Sequence, residues 1–247
     1  MITTKRVAKA AGKHLTRGWL TIRRAAGASR SRHCPACGGD VVGFFRYGAE
    51  GEWGCPSCGA SPRQRLVTQL MDSGVIAVPR KAAVLHLAPN ESSLVSRFRA
   101  ASADYVPADL DPSRYPLPDV HKVDLMALAD EGRFDIVYAS HVMEHVPDDM
   151  LVLRNIHRAL KPGGEAWLIV PLWEKLTEDG SYDIPPRERE RRFGQWDHVR
   201  QYGPDFADRI RAAGFDLDLL TAADVDSALA RRCALGDTLF RARKPAA

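Results

Sequence analysis

Two pairs of cysteines constrain the first quarter of the chain more strongly than any other feature. Cys34 and Cys37 form the first pair, and Cys55 and Cys58 form the second after an interval of 17 residues. This spacing is typical of a zinc ribbon, in which two Cys-x-x-Cys turns place four thiolates around one ion. Because four thiolates complete the tetrahedron and leave no position for water, the sequence predicts a structural zinc site over residues 31–60.

Two disulfides are the alternative for the same cysteines, and they suit secreted chains. The N-terminus lacks the apolar stretch of a secretory signal, and no apolar run approaches the roughly 20 residues of a membrane-spanning helix. We therefore expect zinc rather than disulfides, in a soluble cytoplasmic protein. Cys233 stands apart from the other cysteines, and we expect it to be a small buried apolar residue.

Residues 1–30 are predicted to form a basic N-terminal arm. Residues 1–39 carry nine Lys and Arg residues and no Asp or Glu, whereas the rest of the chain carries 26 basic and 31 acidic residues. Apolar side chains recur in the arm at helical spacing, which predicts an amphipathic helix through Val7, Ala11, Leu15, Trp19 and Ile22. Such an arm contacts RNA or an anionic membrane surface, or else stays a solvated tail.

Residues 61–247 are predicted to form one α/β domain. Hydrophobic residues make up 45% of the chain and charged residues 27%, values that exclude wholesale disorder. Short apolar runs alternate with helical segments, which favours a parallel sheet with helices on both faces. The predicted strands cover residues 83–87, 104–108, a short stretch at 123, 134–140, 166–170, 217–220 and 238–241. The predicted helices begin near residues 62, 147 and 204.

Two acidic residues follow predicted strands of this sheet. Asp109 ends the second strand, 21 residues after Ala88, where an acid typically binds the hydroxyl pair of a ribose. Asp124 follows the third strand and is a weaker candidate for the same ligand. Ligands of such sheets bind at the carboxyl ends of the strands, although an acidic surface residue is the plainer interpretation of either position.

Three motifs in the second half of the chain resemble a known family. They are Phe-Asp-Ile-Val at 134–137, His-Val-Pro-Asp at 145–148 and Leu-Lys-Pro-Gly-Gly at 160–164. In this order and at these distances, they resemble class I S-adenosylmethionine-dependent methyltransferases of the broad type-11 group. The resemblance covers about residues 80–220 and implies a Rossmann-like sheet of seven strands, the last of them antiparallel. It places the cofactor on His86, Leu87, Ala88, Pro89, Asn90, Asp109, Leu110, Asp124, Leu125, Ser140 and His141.

The first loop departs from the pattern of that family. His86 stands where the family has an acid, and Ala88 and Asn90 stand where it has glycines. Glycines allow the backbone to approach a ligand closely. The departure therefore predicts weaker cofactor binding, or its loss.

Candidate catalytic residues lie in two places. His145 follows the fourth strand, and Asp197 and His198 lie in an insertion after the fifth. An imidazole beside a carboxylate is a suitable base for an acceptor that must lose a proton. The alternative is that the polar residues of 193–203 satisfy one another and brace a lid over the site.

A competing motif overlaps the first of these places. Residues 141–145 also read His-x-x-Glu-His, a zinc-protease pattern, but it follows a buried strand and directly precedes Pro147. That chemistry needs both histidines on one helical face, so we consider the protease interpretation unfavourable.

Three functions remain open at this point. The first is methyl transfer to a small molecule or glycan intermediate, with a structural zinc ribbon. The second is methylation of RNA held by the basic arm, the ribbon, Arg63 and Arg65. The third is a non-catalytic scaffold that has lost its cofactor. Steep salt dependence favours the second, and failure to bind S-adenosylmethionine favours the third.

Overall fold

The computed structural model describes residues 4–48 and 50–246. The helices are α1 Thr4–Ala25, α2 Pro62–Asp72, α3 Ser92–Ala101, α4 Asp149–Ala159, α5 Pro186–Phe193, α6 Phe206–Ala212 and α7 Ser227–Cys233. The strands of the first part are β1 Arg32–Cys34, β2 Gly39–Val41, β3 Phe45–Tyr47 and β4 Glu50–Gly54. Those of the second part are β5 Ala82–Leu87, β6 Ser102–Asp109, β7 His121–Lys122, β8 Phe134–Ser140, β9 Leu160–Ile169, β10 Glu178–Asp179, β11 Arg200–Gln201, β12 Asp216–Leu220 and β13 Leu239–Arg243.

The chain divides into two compact units. One, here called the cysteine unit, contains the residues up to 77 together with residues 221–237. The other, the sheet unit, contains residues 78–220 and the chain from 238 onwards. The predicted division into an arm, a ribbon and a domain over residues 61–247 differs from these units, because α2 and α7 group with the cysteines.

The sheet unit contains a seven-stranded sheet in the order β12-β13-β9-β8-β5-β6-β7. Strand β13 is antiparallel to both of its neighbours, and the strands from β9 to β7 are parallel to one another. This confirms the predicted α/β class with an antiparallel last strand. Every residue of β5 is buried, as expected of a central strand covered on both faces.

The carboxyl ends of the parallel strands meet at one edge of this sheet. Leu87 ends β5, Asp109 ends β6 and Ser140 ends β8. Leu85 pairs with both Val106 and Val137, so the three strands run in step. The loops that follow them are therefore brought together at the same edge.

Several segments differ from the sequence-based expectation. The strand predicted over residues 166–170 begins earlier and includes residues 161–164, because α4 ends at Ala159 and β9 begins directly at Leu160. The pairing of β8 with β9 shifts between Phe134 and Ile136, which accommodates these residues as an irregularity within β9. Helices α3, α5 and α7 were not predicted; α5 and α7 are short and bury few apolar residues, whereas α3 buries Leu94, Val95 and Phe98.

The cysteine unit consists of two hairpins, β1–β2 and β3–β4, and the helices around them. The predicted arm helix is confirmed as α1, and its Leu20 packs against Val42 and Phe45. The fifth cysteine, Cys233, is fully buried in α7, as expected. None of the helices in the described residues combines the length and the apolar character that crossing a bilayer requires.

Arg65 joins the parts of the cysteine unit. Its side chain is fully buried, and its guanidinium lies 3.9 Å from the centre of the Phe44 ring. All five of its N–H donors are used, since they donate at 2.7–2.9 Å to the carbonyl oxygens of Glu52, Trp53, Ala60, Cys233 and Ala234. Arg65 is therefore a structural residue, and the interpretation of it as a contact for RNA phosphates is wrong.

Replacing Arg65 with Lys is expected to lower the free energy of unfolding by about 3–5 kcal/mol. An ammonium has three donors on a single nitrogen, so at least two buried carbonyls lose their partner. Urea-induced unfolding of the full chain measures the change. The control is Arg231→Lys at an exposed position of α7, which should stay within about 0.5 kcal/mol of the wild type. Equal effects of the two substitutions would contradict the role of Arg65.

Candidate active site and cysteine cluster

A cavity of about 570 Å³ opens at the carboxyl ends of β5, β6 and β8. We call it the cleft. Its volume is in the range of small-molecule and cofactor sites. Of the residues predicted to bind the cofactor, the cleft is lined by Leu87, Ala88, Asn90, Asp109, Leu110, Asp124, Leu125 and His141. Of the candidate catalytic residues, it is lined by His145 and Asp197.

The first loop keeps a glycine-like backbone without glycine. Ala88 has φ of +49°, in the left-handed region that non-glycine residues rarely adopt. Its N–H donates to the carbonyl of Ala108 at 2.9 Å, and its carbonyl accepts from the N–H of Asn90 at 2.7 Å. The sequence therefore departs from the glycine pattern at Ala88, but the backbone conformation does not.

The Asp109 carboxylate is held in place at the end of β6. One oxygen accepts from the N–H of Asp111 at 2.8 Å, and the other accepts from the Tyr115 hydroxyl at 2.6 Å. A carboxylate offers about four lone-pair positions, so two remain for a ligand with neighbouring hydroxyls. Asp124 is engaged in a similar way, because one of its oxygens caps the short turn after it through the N–H of Met126 at 2.9 Å.

The structure corrects the interpretation of His86. Alternation along β5 turns its side chain to the opposite face of the sheet from Leu85 and Leu87, where it is fully buried against the rings of Phe98 and Tyr138. Burial lowers the pKa of its imidazole to about 3. Pro89 and Ser140 also stay outside the lining of the cleft, and the Ser140 hydroxyl lies 3.5 Å from a carboxylate oxygen of the buried Glu91.

The candidate catalytic histidines lie against each other. The rings of His145 and His198 are 4.8 Å apart, edge to face. Each Nδ1 contacts a backbone carbonyl, that of Asp197 at 3.1 Å for His145 and that of Phe193 at 3.0 Å for His198. Because a carbonyl only accepts, each Nδ1 carries a proton, which leaves Nε2 as the nitrogen that can bind a ligand when the ring is neutral. Burial lowers the pKa of His198, which favours its neutral form.

Asp197 lies beside His145. Its carboxylate oxygen is 3.8 Å from Nδ1 of His145, and the other oxygen accepts from the Gln195 side chain at 2.7 Å. Its backbone carbonyl instead accepts the hydrogen bond from Nδ1 of His145 at 3.1 Å.

Glu144 is the functional candidate that sequence reasoning missed. Its side chain is fully buried, and neither carboxylate oxygen has a hydrogen-bond partner among the described residues. Nδ1 of His141 lies 3.3 Å from one oxygen. Burial raises the pKa of Glu144, but His141 and His145 outweigh it and hold the pKa below its usual value. The sequence showed Glu144 only as part of the zinc-protease pattern, and its burial could not be foreseen.

The loop that carries Glu144 and His145 is braced by residues of the insertion. The buried guanidinium of Arg200 donates to the carbonyls of Val146 at 2.7 Å and Pro147 at 3.2 Å, and it pairs with Asp179 at 2.8 Å. The Tyr202 hydroxyl donates to the carboxylate of Asp149 at 2.9 Å. Arg200 and Tyr202 therefore brace this loop, although their partners lie outside residues 193–203.

Tyr182 is a second residue that the sequence did not single out. It lines the cleft, and its hydroxyl donates to the carbonyl of His145 at 2.7 Å. The buried Arg189 fixes this segment by donating to the carbonyls of Tyr182, Ile184 and Trp196, each at 2.8 Å. The order within this segment comes from these side-chain contacts, which the sequence pattern does not encode.

The four paired cysteines form a cluster in the cysteine unit. All are free thiols, and their sulfur atoms lie within 4.8 Å of one another. Two of the Sγ–Sγ distances are 3.7 Å, for Cys34 and Cys58, and 3.9 Å, for Cys37 and Cys55. A tetrahedron with Zn–S bonds of about 2.3 Å has edges of about 3.8 Å, so the cluster fits one zinc ion. Gly38 and Gly59, which follow the two pairs, have φ of +68° and +81° and permit the tight turns.

Substituting Ala88 with Gly is expected to raise the free energy of unfolding by about 0.5–1 kcal/mol. The left-handed conformation costs an alanine about 1–2 kcal/mol, which exceeds the entropy that a glycine loses on folding. Urea-induced unfolding measures the change. Ala103→Gly at an exposed position of β6 is the control and should have the opposite sign. A loss of stability in both variants would show that Ala88 is unstrained.

The sequence of this chain is similar to those of known proteins. The profile of the family described as "Methyltransferase domain" matches residues 55–219. Ubiquinone biosynthesis O-methyltransferase of Pseudomonas aeruginosa is 40% identical over 52 residues, which cover 20% of this chain and 22% of that protein. The alignment thus spans about a fifth of the length of this curated relative.

Two solved structures share the fold. One is the 1,6-didemethyltoxoflavin-N1-methyltransferase of Burkholderia thailandensis, with a TM-score of 0.50, 19% identity and coverage of 74% of this chain and 78% of that one. The other is the 4+2-cyclase SpnF, with a TM-score of 0.54, 16% identity and coverage of 74% and 82%. At these identities the likeness shows the fold alone. Since the family profile matches more than half of the chain, this protein belongs to the methyltransferase domain family.

Proposed function

We propose that this protein transfers a methyl group from S-adenosylmethionine to a small-molecule acceptor in the cleft. The observation that carries the proposal is Asp109, a fixed carboxylate that lines a cavity of about 570 Å³ at the strand ends and has lone pairs to spare. This is where the hydroxyls of a ribose bind in sheets of this type. The glycine-like backbone at Ala88 supports the fit, because it leaves the first loop in the shape that a close-lying ligand needs.

A small-molecule acceptor is favoured over RNA. The cleft has the size of a small-molecule site, and Arg65, one of the cations that suggested RNA, is fully buried. The short match to an O-methyltransferase of ubiquinone biosynthesis supports a hydroxyl as the acceptor group.

Methyl transfer requires mainly that the chain align the nucleophile with the methyl carbon. S-adenosylmethionine supplies a methyl carbon on a sulfonium, and transfer is a displacement that needs the nucleophile in line. Tyr182 and Asp197 both bond to His145 and so hold it at the cleft wall. With its Nδ1 proton held by a carbonyl, His145 offers the Nε2 lone pair to an acceptor hydroxyl. His198 packs behind that ring as a positioning residue.

Asp109→Asn is expected to weaken the binding of S-adenosylmethionine at least tenfold. The substitution keeps the shape of the side chain and removes the charge that strengthens its hydrogen bonds to a ribose. Calorimetric titration measures the dissociation constant, and Asp216→Asn at an exposed position of β12 is the matched control. If the wild-type chain fails to bind at millimolar concentration, or the two variants bind equally, the proposed site is wrong and the scaffold interpretation replaces it.

We further propose one structural zinc ion on Cys34, Cys37, Cys55 and Cys58. Support comes from the free thiols and from the two Sγ–Sγ distances, which match the edges of a zinc-thiolate tetrahedron. With every ligand a thiolate, the ion would stabilise the two hairpins rather than take part in catalysis.

We also propose that α1 docks on an anionic membrane surface. Leu15, Trp19 and Ile22 project from one face of α1 with 74%, 56% and 68% of their surface exposed. Arg23 stacks on the Trp19 ring at 4.9 Å, and residues 1–39 lack acidic residues. An exposed apolar stripe within a basic helix suits a lipid interface rather than a phosphate backbone, which would need cations alone.

Vesicle sedimentation tests this surface. The wild-type chain is expected to bind vesicles that contain phosphatidylserine and to stay free of phosphatidylcholine vesicles, and Trp19→Ser is expected to reduce binding at least fivefold. Trp196→Ser removes a similarly exposed tryptophan, 48% exposed, from the sheet unit and serves as the control. An equal loss of vesicle binding in both variants would contradict the proposal. Displacement of the protein from the vesicles by single-stranded RNA would contradict it as well.

A further inference from the structure

A buried carboxylate without a hydrogen bond lies beside the cleft, and Nδ1 of His141 lies 3.3 Å from one of its oxygens. Glu144 is fully buried, and both of its oxygens lack a hydrogen bond within the part of the chain that the structure describes. Removing an ionised carboxylate from water without pairing is one of the most costly arrangements in a protein. A further cation beside His141 would stabilise a carboxylate in this state.

Two imidazoles close to Glu144 are prepared as ligands. His145 and His198 each donate Nδ1–H to a backbone carbonyl, at 3.1 and 3.0 Å. Metal-binding histidines characteristically hold one ring nitrogen in this way, which fixes the ring and leaves the other nitrogen for the metal. One ligand atom from each of Glu144, His145 and His198 lies within 4.8 Å of the other two.

We propose that Glu144, His145 and His198 bind one divalent first-row transition-metal cation. Ligand atoms that are each about 2.1 Å from an ion lie at most about 4.2 Å apart, and the three atoms here lie within 4.8 Å of one another, close to that separation. Two imidazoles and one carboxylate form a facial triad, which leaves further coordination positions of the metal open. The imidazoles select for zinc, iron, cobalt or manganese over calcium and magnesium, which prefer oxygen ligands alone.

This ligand set differs from the zinc-protease pattern in the sequence. Of the residues in that pattern, Glu144 and His145 belong to the set, whereas the third ligand, His198, lies 53 positions further along the chain than His145. The segment that carries His198 is placed by a hydrogen bond from the N–H of Val199 to the carbonyl of Glu144 at 2.9 Å. Arg200 anchors the opposite side of the loop through the carbonyls of Val146 and Pro147.

The cation would face the acceptor. His145 lines the cleft, so the open coordination positions are within reach of a small molecule there. A hydroxyl bound to a divalent ion loses its proton more easily, and the ion then replaces the free imidazole as the group that prepares the acceptor oxygen. This role rests on the proposed function, whereas the binding of the cation does not.

Cobalt titration of the zinc-loaded full chain tests the site. We expect one equivalent of Co²⁺ to bind with visible d–d absorption and without the near-ultraviolet thiolate band, while metal analysis finds one zinc ion retained. Glu144→Gln and His198→Ala should each weaken Co²⁺ binding at least tenfold. His121→Ala, a histidine exposed at the edge of the sheet, is the matched control and should bind as the wild type does.

Thermal unfolding separates loss of the ligand from loss of the fold. Without Co²⁺, Glu144→Gln should melt no lower than the wild type, because it removes an uncompensated buried charge. With Co²⁺, only the wild type and the His121 variant should gain stability. Absence of cobalt binding at millimolar concentration, or equal binding by Glu144→Gln, would overturn the site. Titration of the same samples with S-adenosylmethionine reports on the proposed function separately.

Discussion

The cleft depends on the parallel pairing of β5, β6 and β8, which ends three strands at one edge. Each backbone must turn away from a sheet that is buried on both faces, and the turns after β5 and β8 adopt unusual conformations. Ala88 after β5 and His141 after β8 both have left-handed φ values, +49° and +55°. Strain of this kind persists only where the surrounding structure determines the backbone, and it tends to accumulate at functional sites. Both residues line the cleft.

The strands of the sheet could be predicted because their signal is local. The apolar run of β8 was predicted with its observed bounds, and the runs of β5 and β6 within two residues. The grouping of residues 221–237 with the cysteines could not be predicted, because it depends on contacts far apart in the sequence. Arg65 reaches the carbonyls of Cys233 and Ala234, more than 160 positions away.

The sequence predicted where the candidate site lies in the sheet better than it predicted how the individual side chains are oriented. Residues that follow strands line the cleft, as Asp109, Asp124 and His145 show. His86 was misplaced because the resemblance supplied its position in the motif, whereas the alternation of β5 decides which face it occupies. That alternation is readable from the sequence, so the error was avoidable. The partners of Glu144 and His198 are a tertiary feature that local patterns do not encode.

Three buried charges in this chain show why Glu144 is exceptional. Arg65 satisfies all five donors with carbonyls, and Arg200 combines carbonyls with the carboxylate of Asp179. Both arginines are compensated entirely by groups of their own unit. Glu144 differs, because the polar atoms around it are imidazole nitrogens, two of which already have their neighbouring N–H committed to carbonyls. The ion pair with His141 at 3.3 Å offsets part of the cost of burying Glu144, and a cation bound between its carboxylate and the imidazoles of His145 and His198 would offset the rest.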